Sequence, residues 1–198
     1  MKVILNNKKY KIKTSSNLTV KEYIEMSKFE QINIANYISV VTGLRVLDIA
    51  MSSLPLRKTR RLVKYIGKLQ TFRQLEKESK KVTMIYFDNE TIKKEYISYD
   101  TLGTRILYEQ KAKELYSSES SENEKMLQLI IYSLAVVLSK NYDASKTNEV
   151  YSKLLKCSYL DIFPFAIFFF RKLTNGQNKG RKLLKTLRKA ISLIFRSK

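Results

Sequence analysis

Apolar and polar residues alternate through the opening stretch KVILNNKKYKIK, and the alternation pivots on Asn6-Asn7. Period two around such a pair predicts a short hairpin, with strands at about Val3 to Asn6 and Lys9 to Lys13. The period then lengthens. In SSNLTVKEYIEMSKFE, Thr19 stands three residues before Glu22, a capping box in which each side chain satisfies an orphan amide of the first helical turn. Tyr23, Ile24, Met26 and Phe29 supply that helix with an apolar face. Ile34, Tyr37, Ile38 and Val41 mark a second helix, and Gly43 stands where a left-handed C-cap is wanted. LRVLDIAMSSL reads as a short third helix. Pro55 suits the first turn of a long helix running to about Lys80, with Leu62, Val63, Ile66, Leu69, Phe72 and Leu75 three and four residues apart. Its other face is basic.

The plan then begins again. VTMIYFDNETIKKEYISYDTLGTRILYEQ predicts a second hairpin turning at Asp88-Asn89 and a helix starting at Asp100 or Thr101. A shift of 82 positions sets Leu5 to Lys8 on Phe87 to Glu90, Thr19 on Thr101 and Ile24 on Ile106. A duplicated hairpin-helix unit is the expectation. SSESSEN, Ser117 to Asn123, reads as a loop. ENEKMLQLIIYSLAVVLSK is apolar almost all round, as a central core helix should be. SKTNEVYSKLLKCSYLDIFPFAIFFFRKL is helical with a break expected near Pro164. The fold class is therefore α+β and predominantly helical. It is organised as a first hairpin-helical unit (1–81), a second with the apolar core helices (82–173), and a linker with a basic amphipathic helix (174–198).

Composition narrows the function. The 198 residues are 44% hydrophobic with two prolines and five glycines, enough to bury a core and favour helices. Thirty-eight Lys and Arg against 18 Asp and Glu leave a net charge of +20, whose self-repulsion calls for an acidic or polyanionic partner. One cysteine, Cys157, cannot form an intrachain disulfide, and its LLKCSYL setting suits a small buried hydrophobe in a reducing, cytoplasmic compartment. The opening has no apolar leader, and the runs LIIYSLAVVL and IFPFAIFFF are about half of what a membrane span needs.

Nothing announces catalysis. Histidine is absent, and there is no Cys-x-x-Cys, Gly-rich phosphate loop or GxSxG. Asp48, Asp88, Asp100 and Asp161 read as caps and turns. No enzyme, cofactor or metal is expected. Phe163, Phe165, Phe168, Phe169 and Phe170 could stack bases on an open platform, but consecutive rings on a helix point in several directions, which suits a core.

Charge concentrates at two places. Arg57, Arg60, Arg61 and Lys64 line the basic face of the helix after Pro55. Arg181, Lys182, Lys185, Arg188 and Lys189 line the terminal segment, whose other side carries Leu184, Leu187, Ile191, Ile194 and Phe195. The basic set suits a polyanion and the apolar set a protein partner. A terminal helix of this kind fits a fold-back onto the body, a membrane surface, a phosphate backbone or a groove on another protein; an apolar stripe that soluble monomers rarely leave open favours protein.

A hairpin followed by NLTVKEYIEM, then a helix ending in VTGL and followed by LPL, resembles the opening of tail-assembly chaperones and related small morphogenesis proteins of tailed bacteriophages. YDTLGTRILYEQ, LIIYSLAVVLSK and the late FFF are similar to the layout of phage baseplate-hub and tail assembly proteins. The likeness spans about Met1 to Leu173. It implies a non-enzymatic protein that escorts a structural protein or stays in the virion as a tail or portal-proximal component. Other phage structural proteins in a multimeric assembly would be its partners, along with packaged nucleic acid. The host cytoplasm during assembly, and then the virion, would be its place. Such families carry no catalytic residues. The basic terminal segment departs from a compact chaperone ending and leaves room for a permanent virion site. A reading from another class is a small basic nucleic-acid-binding protein using Arg57 to Lys68 and Arg181 to Lys198 against phosphates.

Overall fold

The computed structural model describes residues 1–175 except 6–7, 30, 51–53, 97–101 and 140–142. The chain is predominantly helical with two small antiparallel hairpins.

Strands β1 (Lys2–Leu5) and β2 (Lys8–Lys11) pair from Lys2↔Lys11 to Leu5↔Lys8. Strands β3 (Met84–Phe87) and β4 (Glu90–Lys93) pair from Met84↔Lys93 to Phe87↔Glu90. Strand bounds and register thus recur at an offset of 82 residues. So does burial: Val3 and Leu5 face the core as Ile85 and Phe87 do. Asp88 and Asn89 both take positive φ (52° and 65°), the two-residue type I′ turn that fits the twist of a hairpin. The first hairpin's expected turn, Asn6-Asn7, lies outside the described residues.

Helix α1 (Val20–Met26) begins with the expected capping box: the Glu22 amide donates to Thr19 Oγ1, and the Thr19 amide donates to Glu22 Oε2 at 2.8 Å. Tyr23, Ile24 and Met26 are buried, while Phe29 lies past the helix end and is half-buried. Helix α2 (Ile34–Thr42) ends at Gly43 with φ 74°, and α3 (Val46–Ala50) follows. The long helix expected to reach Lys80 is two, α4 (Leu56–Ile66) and α5 (Phe72–Glu78). The break has a local cause. Thr71 and Gln74 form a second capping box, with the Thr71 amide 2.7 Å from Gln74 Oε1, and it starts a new helix.

Helix α6 (Leu102–Tyr116) starts 82 residues after α1, but runs to 15 residues against 7. The expected start residues, Asp100 and Thr101, lie outside the described residues. The expected loop after α6 is shorter, because α7 (Glu122–Ser139) begins at Glu122. Helix α7 is the central element, buried along most of its length and packed on α6, α8 (Ala144–Leu154), α9 (Tyr159–Asn175) and α1.

The break expected at Pro164 falls instead at Leu155 to Ser158, and α9 runs through the proline. Pro164 forfeits one helical hydrogen bond, which is offset by burial of Phe163, Phe165, Phe169 and Phe170 on the same helix. The turn at 155–158 is also clipped to the start of α1. The amides of Val20 and Lys21 donate to the carbonyls of Cys157 and Leu155, and the Tyr159 amide donates to Leu18. α9 includes Thr174 and Asn175, the first two residues of the expected linker.

One contiguous apolar cluster draws on both sides of residue 82, from Val3 and Leu5 through Ile85 and Phe87 to Leu129 and Phe163. Tyr23 and Tyr159 stack within it, 4.5 Å apart and 9° from parallel. Tyr23 Oη donates to the Gln70 carbonyl at 3.0 Å, and the Gln70 amide donates to Tyr159 Oη at 3.3 Å. These bonds fix the connection between α4 and α5, and so the pose of α4.

Candidate functional site

Helix α4 carries the first of the two basic sets on rigid backbone. Its N-terminus forms at Pro55, whose carbonyl accepts from the amides of Lys58 (2.8 Å) and Thr59 (3.1 Å). Leu62 is its one fully buried side chain, with Tyr65 and Ile66 half-buried beside it. Val63, expected to face the core, is instead 56% exposed, and Leu56 is 75% exposed. The reason is geometric: Leu62 and Val63 are adjacent residues about 100° apart on a helix, so one anchor places the other outside.

Two stripes result. Arg57, Arg61, Lys64 and Lys68 run along one, at spacings of four, three and four; Leu56, Arg60, Val63 and Gly67 run beside it. All eight positions are exposed. Among the described residues none of Arg57, Arg60, Arg61, Lys64 or Lys68 makes an ion pair. By contrast Lys13 pairs with Glu22 at 2.7 Å, Lys28 with Glu124 at 3.2 Å and Lys153 with Asp88 at 2.9 Å. The face of α4 thus carries uncompensated charge, and two apolar side chains, Leu56 and Val63, are set into it.

The stripes lead into a cleft of about 520 Å³ at the C-terminal end of α4. Tyr65 and Lys68 form one side, Thr14 to Ser16 another, and Gln70 and Gln74 close it. Sequence reasoning missed this cleft, because it joins a 3-10 turn (Ser15–Asn17) to a helix connection 50 residues away. The capping-box pattern at Thr71 to Gln74 was the available signal, since it ends the long helix and opens the cleft.

The structure closes the platform reading of the phenylalanines: Phe163, Phe165 and Phe169 are fully buried and Phe170 almost so, leaving Phe168 half-open. Cys157 is half-buried, its Sγ 3.5 Å from the Lys153 carbonyl, and burial pushes its thiol pKa up, away from the reactive thiolate. Among the described residues there is no group of three or more His, Cys, Asp or Glu that could hold a metal, and no helix is long and apolar enough to cross a membrane. The second predicted set, Arg181, Lys182, Lys185, Arg188 and Lys189 with Leu184, Leu187, Ile191, Ile194 and Phe195, lies outside the described residues.

Comparison of the chain with protein-family models, with curated proteins and with solved structures finds no match in any of the three.

Proposed function

We propose that the protein is a non-enzymatic assembly component, of the phage tail or portal-proximal kind its sequence resembles, which holds an acidic and partly apolar segment of another structural protein on α4. The observation that carries this reading is the placement of Leu56 and Val63 among unpaired cations. Covering those two side chains contributes about 2–4 kcal/mol. A phosphate backbone supplies no apolar surface for them, whereas an acidic amphipathic helix supplies both carboxylates and apolar groups. The charges set orientation and on-rate, and the apolar contact sets residence time.

A second reading, phosphate-backbone binding, is favoured by Arg57, Arg60, Arg61 and Lys64 on α4 and Lys68 just after it, five cations without ion-pair partners among the described residues. The two separate on salt and on side-chain type. Five neutralised phosphates give a log-log salt slope of about −4.5, while apolar docking persists as salt rises. In a co-purification assay from virion-producing cells, Leu56→Ser with Val63→Ser should abolish capture of the structural partner. Arg57→Gln, Arg60→Gln, Arg61→Gln and Lys64→Gln together should weaken capture. A complex that resists the apolar changes but dissolves at moderate salt or on nuclease treatment belongs to the second reading.

A further inference from the structure

Phe168 is the one ring of the phenylalanine cluster left half-open, and it does not face plain solvent. It shares a face of α9 with Arg171 and Lys172, three and four residues on. Opposite stand Ser79 and Lys80 at the end of α5, and Lys94 just after β4. Together they enclose a hollow of about 340 Å³.

Its charge is one-sided. Lys94 Nζ lies 4.5 Å from the centroid of Phe168 and 5.6 Å from that of Phe165, and donates to the Ser79 carbonyl at 2.7 Å. Lys172 Nζ lies 5.7 Å from the same Phe168 centroid. Among the described residues every titratable group in the lining is a cation: Lys80, Lys94, Arg171 and Lys172. The nearby carboxylate, Glu76, is paired with Arg171. Burial lowers the pKa of Lys94, as expected for an ammonium held partly out of water. Helix C-terminal dipoles account for single cations at the ends of α5 and α9, but they do not require two ammonium groups to share one aromatic ring.

We infer that this hollow binds the phosphate of a nucleotide, either free or at the end of a nucleic-acid chain, independently of the α4 surface. A phosphate monoester carries a charge near −2 and three acceptor oxygens, which suit a lysine-lined hollow in which Lys94 keeps its bond to Ser79. The hollow is larger than a phosphate alone and lies in the small-ligand range. Phe168 lines the same hollow, an aromatic side chain of the kind that packs against nucleotides.

The test uses the full chain at low salt with pyrophosphate, ATP and a 3′-labelled decathymidylate carrying either a 5′-phosphate or a 5′-hydroxyl. Titration calorimetry and anisotropy should show ATP and pyrophosphate binding that weakens at least tenfold with Lys94→Gln and with Lys172→Gln. Glutamine at 94 keeps a donor for the Ser79 carbonyl, so the fold should survive; if its melting temperature drops, Lys172→Gln and Lys80→Gln, both at exposed positions, carry the test. A 5′-phosphate that tightens oligonucleotide binding tenfold over the hydroxyl identifies a chain end as the source. ATP binding with no difference between the two oligonucleotides identifies a free nucleotide. No binding of any probe overturns the inference. So does a loss of equal size on changing Arg57, Arg60, Arg61 and Lys64 to glutamine, which would mark general attraction to a basic protein.

Discussion

Truncating Phe169 to alanine probes the packing that carries the fold. The ring is fully buried, edge-on to Phe168 at 5.1 Å and 89°, and tilted against Phe165 at 5.3 Å and 55°. Removing a buried phenylalanine side chain costs about 3–5 kcal/mol, and each ring pair contributes about 0.5–1.5 kcal/mol beyond its area. Two such pairs place Phe169→Ala in the upper part of that range, about 4–5 kcal/mol. In a chain of 198 residues each kcal/mol moves Tm by about 2–4 °C, so Tm should fall by about 8–20 °C. Urea unfolding followed by far-UV circular dichroism should show a lower midpoint with an unchanged slope, since the surface exposed on unfolding hardly changes. Phe168→Ala, at the half-open ring, should cost no more than half as much. A Phe169→Ala loss below about 1 kcal/mol, or one smaller than that of Phe168→Ala, would refute the assignment of this cluster to the core.

Three further outcomes follow from local geometry. Thr71→Ala removes the acceptor of the Gln74 amide that starts α5 and should cost about 1 kcal/mol in urea unfolding. Gly43→Ala meets no atom within 4 Å of an added Cβ, so its cost is the backbone's alone at φ 74°, about 1 kcal/mol and expressed as a lower Tm. The alkaline limb should be steep. Burial pushes the phenols of Tyr23, Tyr37, Tyr108 and Tyr151 well above their usual value of 10.0. A raised folded-state pKa means that the unfolded chain loses these protons first, so stability is intact below pH 10 and falls as pH rises beyond it. Tyrosinate absorbance at 295 nm should therefore lag behind that of free tyrosine and jump at unfolding; an ordinary titration near pH 10 with the fold intact would contradict burial.

Local patterns were legible where short-range chemistry decides the outcome. The Thr19–Glu22 box, the Gly43 cap and the Asp88-Asn89 turn all depend on residues within a few positions of each other. Three features were not legible, each because distant packing decides it. Leu62 and Val63 are equally apolar, and only the docking of Tyr65, Ile66 and Leu69 on the body turns Val63 outward. Pro164 predicts a break that the burial of its phenylalanine neighbours overrides. The helix ends instead at residues 155–158, because the start of α1, some 135 residues earlier in the chain, hydrogen-bonds there. Of the site, the basic face of α4 was readable from spacing. The cleft at Thr14 to Ser16 and the hollow at Lys94 were not, because each joins segments remote in sequence.

Site-directed photocrosslinking from position 63 of the full chain, in the cells that produce the protein, tests the central claim most directly. An account in which α4 docks an acidic structural protein predicts a protein adduct that survives nuclease treatment and moderate salt, and that disappears when Leu56 is changed to serine. An adduct with nucleic acid, or a protein adduct lost on nuclease treatment, would contradict it.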